Sequence, residues 1–146
     1  MSLAILEAKT QLRELVDEFA NLADEKRISD QMPLFTPDTK VKVFMGDTLV
    51  FDISGTTQLE ETFTGFTANV KRSSHMNGQH DVQVDGDTAT GIAYCQVKLV
   101  SDEDGHEVIQ DSSIRYDDTY VRENGIWRIA TRISHFTINE KRTLRS

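Results

Sequence analysis

The sequence predicts an α+β fold in which helices pack on one face of a curved antiparallel sheet. Three observations predict it. Apolar residues recur at helical spacing in two segments of the first half, alternate with polar residues almost continuously after Lys71, and are divided there by three Gly-containing turns into four long strands. Helical segments followed by a run of strands is the order expected when the helices cover one side of a sheet.

The first helix has an apolar face at Leu12, Leu15, Val16, Phe19, Leu22 and Ala23, with charges between. A shorter helix is expected from Ser29 to Phe35, because Ser29 or Asp30 is a capping residue and Pro37 cannot continue a helix. The segment TKVKVFMGDTLVFDI then alternates and turns at Gly46-Asp47, which reads as two short strands joined tightly. Between Thr57 and Val70 the helical period returns at Leu59, Phe63, Phe66 and Val70, and Thr57 with Glu60 fits a capping box. Asp85-Gly86-Asp87, Asp104-Gly105 and Glu123-Asn124-Gly125 are the turns between the four long strands.

Size and charge narrow the classes of function. At 146 residues one core and one pocket are expected. With 24 acidic against 16 basic side chains the net charge is −8, which opposes nucleic acid and anionic membrane surfaces as partners. The basic cluster Lys141, Arg142 and Arg145 reads as a solvated tail. No apolar run exceeds four residues, so neither a membrane span nor a signal-peptide core is expected. The single Cys95 has no disulfide partner within the chain, which suits a reducing, cytoplasmic setting, and its apolar strand makes it a buried spacer. No glycine-rich phosphate loop, nucleophile elbow or cysteine pair is present, and the spacing of His75, His80 and Asp81 matches no usual zinc pattern. No metal or cofactor is expected.

Four segments carry a family resemblance: LFTPD at 34–38, Gly55 before the second amphipathic helix, SHMNGQHDVQVDGDTATGIAY at 74–94, and RYDDTYVRENGIWRIATR at 115–132. In order and spacing they resemble the SnoaL-like branch of the nuclear-transport-factor-two-like superfamily, with residues 1–146 forming one such domain. The resemblance implies a cone, in which a strongly bent mixed sheet wraps the helices around an apolar cavity. It also implies a homodimer, and cofactor-free proton chemistry of the dehydratase, isomerase or cyclase kind performed by an Asp and a His. Carried over residue by residue, it assigns Asp24, His75 and Arg132 as the catalytic set. The Tyr that dehydratase-like members carry five residues before the Asp is Phe19 here, so a phenol donor is lost at that point. Phe19, Phe63, Tyr94, Tyr116 and Asp118 are the expected ligand-binding wall.

The residues themselves leave alternatives open. Asp24 lies about 130° from the centre of the first helix's apolar stripe, an angle that points to solvent unless the helix end turns it inward. Strand alternation sets His75 with Asn77, Gln79 and Asp81, and His80 with Val82 and Val84, favouring His80 as the inward one. A bulge at Asn77-Gly78 reverses that choice. On the last strand Trp127, Ile129 and Ile133 share one parity, while Ala130, Arg132, Ser134 and Phe136 share the other, so Arg132 is either a substrate clamp or half of a structural ion pair. Tyr116, Asp118 and Tyr120 alternate onto one face, as wall or as core and dimer surface. A sheet-to-sheet homodimer is expected from apolar strand residues including Val97, Leu99, Val108, Ile114 and Ile133. The expected function is a small lyase or isomerase acting by general acid–base chemistry on an apolar small molecule. The alternatives are a noncatalytic ligand-binding or dimerisation module, or the small structural subunit of a ring-hydroxylating oxygenase.

Overall fold

A computed structural model describes residues 1–145. Helix α1 (Leu3–Asp24) starts at Ser2, whose Oγ accepts from Ile5 N–H at 3.1 Å, and buries Ala8, Leu12, Leu15, Val16, Phe19, Ala20 and Leu22. The short helix α2 (Ile28–Gln31) runs into a 3₁₀ turn at Met32–Leu34, earlier than expected. Arg27 rather than Ser29 is its N-cap, and Pro37 lies within strand β1 (Phe35–Met45). Strand β2 (Thr48–Ser54) completes the first hairpin and leads directly into α3 (Gly55–Thr67). The Thr57–Glu60 box does not form. The N-cap is Ser54, three residues sooner, and Gln58 Oε1 reaches back to accept from Ser54 N–H at 2.8 Å.

Four long strands follow: β3 (Val70–Asp85), β4 (Thr88–Glu103), β5 (His106–Glu123) and β6 (Ile126–Thr143). Positive φ at both Asp104 and Gly105, and at both Asn124 and Gly125, gives the last two hairpins the turn geometry that matches strand twist. The sheet order is β2-β1-β6-β5-β4-β3, with β1 and β6 parallel and every other pair antiparallel. This is the mixed α+β cone, helices on its inner face. Leu12, Ile53, Leu59 and Ile129 are fully buried at its centre, each burial contributing about 1.5–3 kcal/mol. Lys141 and Arg142 are not a free tail. They lie on β6, where Lys141 pairs with Glu103, and Arg142 Nη1 stands 3.2 Å from Asp111 Oδ2.

Two bulges decide which side chains face the helices. In β3 the register passes from Asn77 opposite Cys95 to His80 opposite Ala93, so one extra residue is inserted around Gly78. His75, Asn77, His80 and Val82 therefore all share the inner face with buried Val97, Cys95, Ala93 and Gly91. The choice between the two histidines dissolves, since both point inward. In β6 the partner of Thr119 is Thr131 and the partner of Tyr120 is Ile129, which leaves Ala130 as the extra residue. Trp127 and Ile129 thereby join Arg132, Ser134 and Phe136 on the inner face, and Ile133 turns outward beside Asp117. Val97 and Ile114, expected at a dimer surface, are core residues of that inner face.

Helix α1 grips the β3 bulge. Asn77 Nδ2 donates to Val16 O at 3.1 Å and Asp17 Oδ1 at 2.9 Å, and Arg13 Nη1 donates to Gly78 O at 2.6 Å. Asn77→Ala removes two part-buried hydrogen bonds and is expected to cost about 1–2 kcal/mol, read as a lower urea midpoint at unchanged m-value.

Candidate active site

Between α1, α3 and the inner face of the sheet lies a cavity of about 290 Å³, at the lower end of the usual range for small-molecule sites, roughly 300–1,000 Å³. Its wall is mainly apolar, with Phe19 from α1, Phe63 and Phe66 from α3, and Val97, Ile114 and Phe136 from the sheet. His75, Ser73, Tyr116, Arg132 and Ser134 bring its polar groups from the long strands. Phe19 and Phe63 meet edge to face with centroids 6.2 Å apart.

Asp24 is the last residue of α1. A carboxylate there opposes the helix dipole, which favours cations at a C-terminus, so the helix gains nothing from it. Strand β3 supplies the compensation. Asp24 Oδ1 accepts from Ser73 Oγ at 3.0 Å, Oδ2 accepts from His75 N–H at 2.9 Å, and His75 Nδ1 lies 2.6 Å from Oδ1. The helix end thus turns Asp24 towards the sheet, against the angle its position in the stripe implied. With the carboxylate acting as acceptor, Nδ1 carries the ring proton and Nε2 is left with its lone pair. This is the arrangement in which a carboxylate fixes an imidazole's tautomer and offsets the charge it acquires as a base.

Arg132 stands directly opposite Asp118 in the β5–β6 register and donates to it in bidentate fashion, Nε to Oδ1 at 2.8 Å and Nη2 to Oδ2 at 2.9 Å. Both side chains are buried, at 2% and 0% exposure. Burial alone would lower the guanidinium's pKa, but the charge and hydrogen bonds of Asp118 outweigh it and hold the group above its ordinary value. Its central carbon lies 3.9 Å from the centroid of Tyr116 and 4.8 Å from that of Phe19. Nη1 is buried without a hydrogen-bond partner among the described residues. The ion pair is therefore neutral overall and keeps one donor edge in reserve. Burial raises the pKa of Tyr116, which stays a neutral phenol.

The structure brings Asp24 against His75, and Phe19, Phe63, Tyr116, His75 and Arg132 onto one cavity wall. Two expected wall residues lie elsewhere. Tyr94 is 38% exposed on the outer face, because Ala93, Cys95 and Val97 take the inward parity of β4. Asp118 sits behind Arg132 rather than on the wall. Ser73 and Ser134 were missed by sequence reasoning; Ser73 shares parity with His75, and that was the available signal. Burial pushes the Cys95 thiol up to about 11, consistent with its place as an unreactive spacer.

The sequence profile described as a SnoaL-like domain matches residues 4–133. The uncharacterised protein Rv2910c of Mycobacterium tuberculosis is 27% identical over 134 residues, covering 91% of this chain and 88% of its own. Among solved structures, a proposed scytalone dehydratase from Novosphingobium aromaticivorans superposes with a TM-score of 0.84 at 18% identity, covering 100% of this chain and 95% of the other. A hexachlorocyclohexane dehydrochlorinase, LinA-type3, from Novosphingobium barchaimii superposes with a TM-score of 0.80 at 13% identity, covering 99% and 94%. At such identities the likeness to these structures is one of fold.

The Asp24–His75 contact has a direct spectroscopic test. A proton held between Nδ1 and a carboxylate at this separation is expected to give a resolved downfield proton resonance. Asp24→Asn should abolish it and lower stability by about 1–3 kcal/mol, because hydrogen bonds to a charged acceptor are lost.

Proposed function

The chain belongs to the SnoaL-like domain family, and from that premise we propose that it is a cofactor-free lyase or isomerase acting on an uncharged, largely apolar small ring compound. The observation that carries the reading is the Asp24–His75 dyad placed on the wall of an apolar cavity that Arg132 also reaches. The dehydratase and dehydrochlorinase named among the structural neighbours support the same class of chemistry.

In the elimination form, His75 Nε2 takes the proton from a ring carbon. The C–H electron pair becomes the new C=C bond, and the group on the neighbouring carbon leaves with its own pair, hydroxide or halide. Asp24 holds the imidazole's orientation and offsets its positive charge. The free edge of Arg132 stabilises the departing anion, or an enolate oxygen in the isomerase form. The proton from His75 and the leaving group depart together as water or hydrogen halide. In the isomerase form His75 returns the proton to a different carbon, so nothing is lost or gained. Phe19 supplies packing against Arg132 but no proton, so the chemistry rests on His75 alone as acid and base.

The reading also takes the protein as a cytoplasmic homodimer joined through the outer sheet face. Met76, 70% exposed, and Tyr94 lie on that face with half-buried Ile92 and Ile133, in rows that include Arg115, Asp117 and His135. Apolar centres among polar neighbours suit a self-complementary interface. Sedimentation at micromolar concentration is expected to give twice the chain mass, and Tyr94→Lys to return the monomer.

The activity is tested by screening hydroxylated, halogenated and keto ring compounds for elimination or isomerisation. With an active compound in hand, His75→Gln should keep the far-ultraviolet spectrum and melting temperature while lowering kcat by roughly 10²- to 10⁴-fold. Ring compounds that bind and raise the melting temperature without any turnover would instead make the cavity a binding site.

A further inference from the structure

Behind the cavity wall runs a chain of hydrogen bonds that the proton transfer above does not use. Tyr120 Oη donates to Asp118 Oδ2 at 2.7 Å, the carboxylate that Arg132 also grips, and His80 Nε2 lies 3.0 Å from Tyr120 Oη. Because the phenol's proton is committed to Asp118, Oη is the acceptor in its contact with His80, and Nε2 carries the hydrogen. The chain therefore runs His80 to Tyr120 to Asp118, where it meets Arg132 from the other side. It begins on β3 with a part-buried imidazole and ends on β6 with a fully buried guanidinium. His80 and Tyr120 each donate one hydrogen bond along it, and Asp118 accepts from Tyr120 and twice from Arg132.

The sheet is shaped to let this chain through. Tyr120 is opposite Ala89, and its ring leans diagonally across β4 to reach His80, which is opposite Ala93. The residue it crosses is Gly91. A Cβ there would stand 3.0 Å from Tyr120 Cε2, 3.3 Å from its Oη and 3.3 Å from Val82 Cγ2. Gly91 is buried in regular strand and has no positive φ to explain it. Room for the Tyr120 ring does explain it.

We propose that His80 is a positioning residue for Arg132, acting through Tyr120 and Asp118. Asp118 fixes two of the three guanidinium nitrogens, and the plane of its carboxylate sets where the third, Nη1, is directed. Tyr120 is the further donor that stops this carboxylate from rotating. His80 holds Tyr120 in turn. The groups facing His80 are Arg13 and Asp17 from α1, Asp118 from β5 and Arg132 from β6, with the Tyr120 ring edge-on at 6.0 Å. Burial, more than any of these charges, lowers its pKa below the ordinary imidazole value. It is therefore neutral at neutral pH, and acid adds a proton at Nδ1 that leaves the Nε2 hydrogen bond in place but brings a positive charge to the head of the chain. The inference rests on Arg132 being the polarising group of the proposed reaction.

Its test reads Arg132 itself, so that it does not depend on any substrate. In protein labelled with ¹⁵N-arginine, the buried Arg132 Nε–H signal, assigned through Arg132→Lys, is followed with pH. It is expected to shift with a midpoint equal to that of the His80 ring, below about 6.5. In His80→Gln, which keeps a donor at that point, the signal should stay near its neutral-pH position and lose its pH dependence. In His80→Leu and in Gly91→Ala, which break the chain at two different places, it should move and broaden in the same sense. On any ring compound that is turned over, these last two variants should lower kcat roughly 10- to 100-fold with little change in KM, the loss expected of a misplaced group. An Arg132 signal unmoved in folded His80→Leu and Gly91→Ala overturns the proposal. So does a wild-type signal that ignores the His80 titration or still follows pH in His80→Gln, a comparison that decides the matter even where the other two variants fail to fold. If no compound is turned over while the Arg132 signal behaves as expected, the lyase reading fails and the positioning chain stands.

Discussion

A strand presents its side chains to two faces in strict alternation, and one inserted residue exchanges the faces of everything beyond it. The site in this protein depends on two such insertions. Near Gly78 the extra residue lets His75 and His80 share the inner face of β3, although their separation of five residues would set them on opposite sides. At Ala130 the extra residue lets Trp127 and Ile129 pack on α1 while Arg132 and Ser134 face the cavity from the same strand. The first bulge is clamped by Arg13 and Asn77 against α1, so the helix that carries Asp24 also fixes the strand that carries its partner. Packing and the geometry of the Asp24–His75 pair thus share one set of contacts.

The two charged pairs of the site are built on different terms. Asp24 and His75 are partly open to solvent, at 31% and 14% exposure, and their hydrogen bonds leave Nε2 uncommitted. Arg132 and Asp118 are sealed in. A buried ion pair of this kind is a poor device for stability, since removing two charges from water costs about as much as their attraction returns. What the pair does provide is a guanidinium whose charge is balanced, which two aromatic rings adjoin, and whose Nη1 is unpaired among the described residues. The proposed reaction asks for those properties in a group that polarises a neutral ligand.

Much of this was legible in the residues. The apolar stripe from Leu12 to Leu22 is the buried face of α1, and the three Gly-containing turns separate the four long strands. Tyr94 was misplaced on the cavity wall although the residues carried the contrary signal: small and apolar Ala93, Cys95 and Val97 claim the inward parity and leave Tyr94 outside. Bulges were the main obstacle. The one near Gly78 has a glycine to announce it, whereas the one at Ala130 has no punctuating residue, and simple alternation then sets Arg132 apart from Ile129. Asp24 was obscured for another reason: a helical-wheel angle describes a helix packed along its length, and the last residue of α1 answers to Ser73 and His75 instead. Lys141 and Arg142 looked like a solvated tail because their acidic partners, Glu103 and Asp111, lie far away in sequence.

Those sequence separations divide the site in time as well as in space. Asp118 and Arg132 are 14 residues apart on a single hairpin, while Asp24 and His75 are 51 apart and meet only where α1 lies along the edge strand of the sheet. The ion pair is thus a local product of the β5–β6 ribbon, formed for a small cost in chain entropy, and the dyad is a tertiary product that waits for the helix to dock. Native proteins open in cooperative pieces well before they unfold as a whole. A piece consisting of α1 would take Asp24 away from His75 and leave the arginine pair intact on its hairpin. Such a state would keep the Arg132–Asp118 pair and lose the Asp24–His75 contact, so the helix–strand seam sets the integrity of the dyad separately from that of the ion pair.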